Sequence, residues 1–251
     1  MLIMCALTGC SSASTAPRPK VALFLGDSIM YEVRAPVRAK VTARGWTATV
    51  AGRPGIALCD LTDEFRARIQ HDRPALVVVE TQGDLFSRCM ATDQAGVPVG
   101  LGSGAYFRRY RAAMDLFVSV AREHHARIVF VAPLPVPQPT TNAVFLRLRD
   151  LERRVVAGKP HATMTDAPRD AVTLAGAFTD TLPCSPGEQD RPACSGGRIR
   201  VREALQGLHL CPTPYFTAQQ TVRGCPTDSS GAVRDGRALV DAVVPARRAP
   251  G

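Results

Sequence analysis

Apolar and polar positions fall in blocks along the chain, and the blocks alternate between two periods. Val21-Ala22-Leu23-Phe24-Leu25 is an unbroken apolar run stopped by Gly26-Asp27-Ser28. A short run of this kind, bounded by a turn signal, reads as a strand buried on both faces, as parallel sheets require. Residues 46–50, 75–80 and 127–132 read as further strands, and 161–165 as a short fifth one. Helical periodicity lies between them. The first helix is expected to begin near Pro36, which suits a first-turn position, and to run to Arg44 before Gly45. Others are expected over 61–70, 104–126 and 143–156. In the third, Tyr106, Tyr110, Met114, Phe117 and Ala121 share one face with arginines opposite. Residues 81–102 form a long loop, 176–197 are loop-like, 198–202 suit another strand and 231–243 a closing helix. Strands alternating with helices predict an α/β chain: three layers, α/β/α, around a mostly parallel central sheet.

The 251 residues suit a single domain over 18–251. Residues 1–17 read as a leader and tether. Met1 to Leu7 is a short apolar run, Leu7-Thr8-Gly9-Cys10 resembles a bacterial lipoprotein cleavage box, and a Ser-, Ala- and Thr-rich stretch follows. Cys10 is the lipidation candidate. No basic residue precedes the apolar run, so either the start lies upstream or the export signal is weak. No stretch reaches the length of a membrane span, so membrane contact is expected only through the lipid anchor. Without the leader, Cys59, Cys89, Cys184, Cys194, Cys211 and Cys225 remain. An even number with no C-x-x-C pair fits three disulfides in an oxidising compartment, with a zinc site as the alternative use. Spacing alone leaves fifteen pairings open.

The net charge of +9 is carried almost wholly by arginine, with Lys20, Lys40 and Lys159 the only lysines. That lopsidedness fits a GC-rich genome better than a guanidinium-built site, although it favours anionic envelope polymers or head groups. No basic run is interleaved with aromatics, which argues against nucleic acid. Neither metal nor cofactor is expected, and a monomer is.

Candidate chemistry starts at Ser28. A serine on the turn between a buried strand and a helix has an exposed hydroxyl beside free N–H groups and a positive dipole end. The plainer use of Gly-Asp-Ser is a strand-to-helix turn with an N-cap. Further blocks follow in order: Gly55 with Ala57-Leu58-Cys59-Asp60, then Glu80-Thr81-Gln82-Gly83-Asp84, then Gln206-Gly207-Leu208-His209-Leu210-Cys211-Pro212. In this order, over roughly residues 20–245, the chain resembles the SGNH (GDSL-type) hydrolases, especially exported actinobacterial members and the SGNH domains of membrane acyltransferases. The resemblance implies Ser28 as nucleophile and His209 as general base. It implies an oxyanion hole from the N–H groups of Ser28 and Gly55 with the residue at Asp84. His71, His124, His125 and His161 have no such company.

Two positions depart from the family pattern. Asp84 stands where the family has an asparagine donor, and an ionised aspartate only accepts. Gln206 stands where the family has the aspartate behind the histidine, and is expected to orient the ring through its carbonyl oxygen. Three accounts stay open: a protonated, donating Asp84; a Ser28–His209 dyad with a backbone carbonyl holding the ring; or a dead site kept for binding. The reading is an exported serine esterase or O-acyltransferase acting on O-acylated envelope glycan or lipid, with a partly degenerate site. The alternative is a non-catalytic carbohydrate- or lipid-binding lipoprotein. The disulfides expected are Cys59–Cys89, tying the loops after Gly55 and Asp84, then Cys184–Cys194, and Cys211–Cys225 bracing the His209 loop.

Overall fold

The computed structural model describes residues 20–246, apart from 86, 94, 205, 212–214, 217–221 and 224–228. Five strands, β1 (Val21–Gly26), β2 (Thr47–Gly52), β3 (Leu76–Glu80), β4 (Arg127–Val131) and β5 (Ala162–Thr165), form one sheet. Its order is β2-β1-β3-β4-β5, and every neighbouring pair is parallel. This is the doubly wound order whose topological switch lies between β1 and β3, and ligands collect beyond the carboxyl ends of the strands at such a point. Helices α1 (Ser28–Ala43), α2 (Thr62–Asp72), α3 (Gly104–Glu123), α4 (Pro139–Val156), α5 (Ala167–Ala171) and α6 (Ser230–Val243) surround the sheet.

Side-chain alternation along the strands divides the core in two. Leu23, Leu25, Val77 and Val79 face α2, α3 and α4 and pack with Phe65, Phe117 and Leu148. Ala22, Phe24 and Val78 face the other way, against Val33 and Val37 of α1 and Leu239 and Val240 of α6. Each fully buried side chain of this size contributes about 1.5–3 kcal/mol. Beside the main sheet, β6 (Thr181–Pro183) and β7 (Arg198–Arg200) pair antiparallel. Two two-residue strands, Tyr215–Phe216 and Val222–Arg223, form a second small ribbon.

The largest departure from the sequence expectation is the start of α1. The helix begins at Ser28, because the Asp27 carboxylate caps it by accepting the Ile29 N–H at 3.0 Å. Pro36 is therefore inside the helix, packed on α6, where a Cβ on Gly236 would lie 3.0 Å from the proline ring. In the same way α4 begins at Pro139, four residues before the expected 143, with the proline in its first turn. The stretch 176–197, expected as loop, contributes β6, which gives the expected 198–202 strand its partner. The leader 1–17 and Cys10 lie outside the described residues. No helix among the described residues is long and apolar enough to cross a membrane.

Candidate active site

The carboxyl ends of β1, β2 and β3 lie side by side, with Gly26 in register with both Gly52 and Glu80. The strands crowd here, since a Cβ on Gly26 would sit 2.2 Å from the Glu80 carbonyl oxygen. Asp27 is fully buried just beyond. One of its oxygens caps α1 and the other accepts the N–H of Gln82. Burial pushes its pKa up to about 6, even though those two backbone donors act to lower it. Asp27 is thus a clasp between the exits of β1 and β3, and it fixes Ser28 as the first residue of α1, at the wall of a cavity.

His209 reaches the same cavity from the loop before α6. Its ring is buried, with 2% exposure, and Nδ1 lies 2.5 Å from Oε1 of Glu32. The other Glu32 oxygen accepts the Leu210 N–H at 2.7 Å. Glu32 follows Ser28 by four residues in α1, so the serine and this carboxylate stand one helical turn apart on one face. The loop carrying His209 is built on its own polar residues. Glu203 gives its N–H to the His209 carbonyl at 3.0 Å, and its carboxylate accepts the N–H groups of Gln206 and Gly207. The buried Arg202 guanidinium donates to the carbonyls of Pro135 and Gly207. Gln206 itself is exposed at the cavity rim. The ring position expected for Gln206 is therefore taken by Glu32, because α1 starts a full two turns earlier than expected and carries a carboxylate there.

Gly55 also lines the cavity, at φ +76°. A Cβ at this position would meet nothing within 4 Å. In this structure the need for glycine comes from the left-handed backbone rather than from close packing. Asp84 follows β3, where the phenol of Tyr106 donates to the Gly83 carbonyl at 2.8 Å and that of Tyr110 to the Asp84 carbonyl at 3.1 Å. Its Oδ2 is buried and has no partner among the described residues. Burial, followed by the charge of Asp27, pushes its pKa up to about 8. The shift runs in the direction that a protonated, donating Asp84 needs.

Gln82 was not singled out by its sequence context. Its Oε1 accepts the Leu134 N–H at 2.7 Å, which leaves Nε2 buried without a partner among the described residues. Gln82 lines the cavity, so a second side-chain donor stands there. The cavity measures about 460 Å³, and its walls include Leu85, Phe145 and Leu208. Outside it, His71 pairs with Asp72 and His161 touches the Val118 carbonyl, while His124 and His125 close α3.

Disulfides join Cys59 to Cys89 and Cys184 to Cys194. The first links the loop after Gly55 to the loop after Asp84. Asp60 reinforces it by accepting the Cys89 N–H at 3.1 Å and the Ser87 hydroxyl. Cys211 is also disulfide-bonded, and the expected partner Cys225 lies outside the described residues. No cluster of three or more His, Cys, Asp or Glu among the described residues could hold a metal ion.

The parallel five-stranded sheet in this order, with helices on both faces, is a fold that solved esterases and α/β hydrolases share. A catalytic mutant of Axe2, an acetylxylan esterase from Geobacillus stearothermophilus, superposes with a TM-score of 0.59 at 13% identity, over 92% of this chain and 97% of that one. LAE5, an α/β hydrolase from the metagenome of Lake Arreo, Spain, superposes with a TM-score of 0.55 at 15% identity, over 89% and 94% of the two chains. The chain belongs to the family described as protein of unknown function (DUF459), whose model matches residues 21–192. Ser28, Glu32, Gly55 and Asp84 fall inside that match and His209 beyond it. Among curated proteins there is no match.

Proposed function

We propose that this protein is an exported serine esterase. One observation carries the reading: a buried Glu32 carboxylate 2.5 Å from Nδ1 of His209, on the helix that Ser28 opens and beside one cavity. A lone histidine in a dead site needs no buried carboxylate behind it, and burying two ionisable groups is costly unless they are paired.

In the proposed reaction Ser28 Oγ attacks the ester carbonyl carbon while His209 Nε2 takes the hydroxyl proton. Glu32 accepts the Nδ1–H hydrogen bond, fixing the tautomer and stabilising the imidazolium that forms. The oxyanion is met by the backbone N–H groups of Ser28 and Gly55, with Asp84 as a neutral acid and the Gln82 amide as side-chain donors. Collapse expels the alcohol, which takes the proton from Nε2. Water then attacks the acyl-enzyme with His209 again as base, releasing the acid and restoring Ser28. In this scheme Gln206 reads the alcohol at the rim. Neither departure from the family pattern then disables the site, because Glu32 supplies the charge and a protonated Asp84 the donor.

Export is supported by the disulfides Cys59–Cys89 and Cys184–Cys194, which persist in oxidising compartments. The envelope substrate and the anchor at Cys10 remain part of the proposal. A fluorophosphonate probe tests the whole reading. Ser28 should be labelled, and labelling should vanish in Ser28→Ala and fall sharply in Glu32→Gln. A folded protein that resists the probe would leave the binding-lipoprotein alternative as the better account.

A further inference from the structure

Not every buried charge near His209 has a part in the reaction above. Arg202 is the largest side chain with no exposure among the described residues, and Asp235 of α6 is fully buried as well. Burying a guanidinium is costly unless its charge is answered nearby. Hydrogen bonds use only part of this one. Nη2 donates to the carbonyls of Pro135, at 3.0 Å, and Gly207, while Nε and Nη1 have no partner among the described residues. Both Asp235 oxygens are in the same position. Each of the two residues feels the other's charge, yet they form no hydrogen-bonded pair, so the field of Arg202 is not spent on Asp235.

The backbone puts that charge behind the histidine. Arg202 directly precedes Glu203, whose N–H goes to the His209 carbonyl, and the next residue, Leu210, gives its N–H to Glu32. The start of α6 lies against both segments, since a Cβ on Gly231 would collide with the carbonyl oxygens of Val201 and Leu210. Burial pulls the Arg202 pKa down to about 10, and the charges of Asp235, Glu32 and Glu203 oppose it. Besides His209 and Arg202, the groups whose charges meet that of Glu32 are carboxyls: Asp27, Glu80 and Asp235. Burial shifts all three toward the neutral form, which leaves Arg202 as the counter-charge. Resting on the esterase reading above, we infer that Arg202 is a positioning residue: from behind the His209 loop it keeps the Glu32 carboxylate charged against His209, and its bonds to Pro135 and Gly207 hold that loop in place.

The test is the rate at which a fluorophosphonate probe labels Ser28 in the full chain between about pH 4 and pH 8. Arg202→Gln removes the charge and keeps amide donors, whereas Arg202→Lys keeps the charge and loses the fork. In Arg202→Gln the acid limb of the profile should move up by about one pH unit, because a carboxylate without its counter-charge keeps its proton to higher pH. Arg202→Lys should leave the limb in place while lowering the rate a few-fold at every pH. A brace for the loop and nothing more would lower the rate evenly in both variants. That result, or a limb displaced equally by lysine, overturns the role of Arg202 and, with Ser28 still labelled, leaves the esterase standing. If Arg202→Gln does not fold, adding Glu32→Gln should restore folding, since no uncompensated carboxylate remains; a double variant just as unfolded overturns the inference. A folded wild-type chain whose Ser28 is never labelled overturns both readings.

Discussion

On the face of the sheet covered by α2, α3 and α4, Phe65 and Phe117 stack with ring centroids 4.1 Å apart, and the phenols of Tyr106 and Tyr110 are spent on backbone carbonyls. On the face covered by α1 and α6, an aliphatic core of similar depth also buries Glu32, Asp235 and Arg202. Glu80 belongs there too, in step with Leu76 and Val78 along β3. Its pKa is pushed well up, by burial first and then by the charges of Asp235, Asp27 and Glu32. Glu152 of α4 is the buried carboxyl of the aromatic side. The contrast separates two tasks. The aromatic side gives shape: it holds the β3 exit in place and lends Phe145 to the cavity wall. The charged side holds the proposed catalytic groups: Glu32 is offset by His209, the Leu210 N–H and the Arg202 charge, while the neighbouring carboxyls add to the cost of burying it.

The sharpest way to break this division is Glu32→Gln, which keeps shape and removes charge. Turnover should fall about 10⁴-fold, as in the serine-protease template when the corresponding carboxylate is neutralised, with the circular dichroism spectrum unchanged. Gln206→Ala, at the exposed rim, should change turnover on a simple ester by no more than a few-fold. If Gln206→Ala proves the worse of the two, the roles given to these residues are reversed. On the other face Phe117→Ala should cost about 3–5 kcal/mol in urea unfolding, and by the same amount at acid and mildly alkaline pH, because no titrating group is involved.

Asp84 lies between the two tasks and predicts a pH signature. With its pKa pushed up to about 8, it donates below that value and loses its proton above it. Wild-type turnover should therefore decline above about pH 8. Asp84→Asn, a donor at every pH, should remove the decline and exceed the wild type about tenfold at pH 9.5. Coincident profiles would remove Asp84 from the oxyanion hole. The last effect is on stability. Burial pushes the pKa of Asp235 up to about 7 from 3.8, with Arg202 opposing the shift. The unfolded chain then gives up this proton first, so stability drops as pH climbs from about 4 through 7. Asp235→Asn should shrink the difference between pH 4.5 and 7.5 by up to about 3 kcal/mol, read from urea midpoints.

The strand and helix alternation was legible because buried parallel strands are nearly pure apolar runs, and the order of Ser28, Gly55, Asp84 and His209 was legible from local motifs. Glu32 was not. Pro36 is a strong helix-start signal, and with the helix placed there residues 29–35 had no face, so Ser28 and Glu32 had no geometrical relation. The Asp27 cap outweighs the missing proline N–H, and the spacing Ser-x-x-x-Glu directly after a strand is the signal that would have revealed the pair. Gln82 escaped for another reason. Nothing in a single polar residue tells which of its two amide atoms the fold will use, and only the Leu134 N–H decides it.

Placing the proposed acid, Glu32, on the helix that Ser28 opens has a consequence for how this chain tolerates change in length. Between Ser28 and Glu32, one inserted or deleted residue turns everything downstream by about 100° around the helix axis. It would swing the carboxyl off His209 while leaving both residues in the sequence. Loops that carry a catalytic acid absorb such changes at their tips. Here the register of four residues is itself part of the proposed active site, and comparison by residue identity alone would pass a frame-shifted copy as intact.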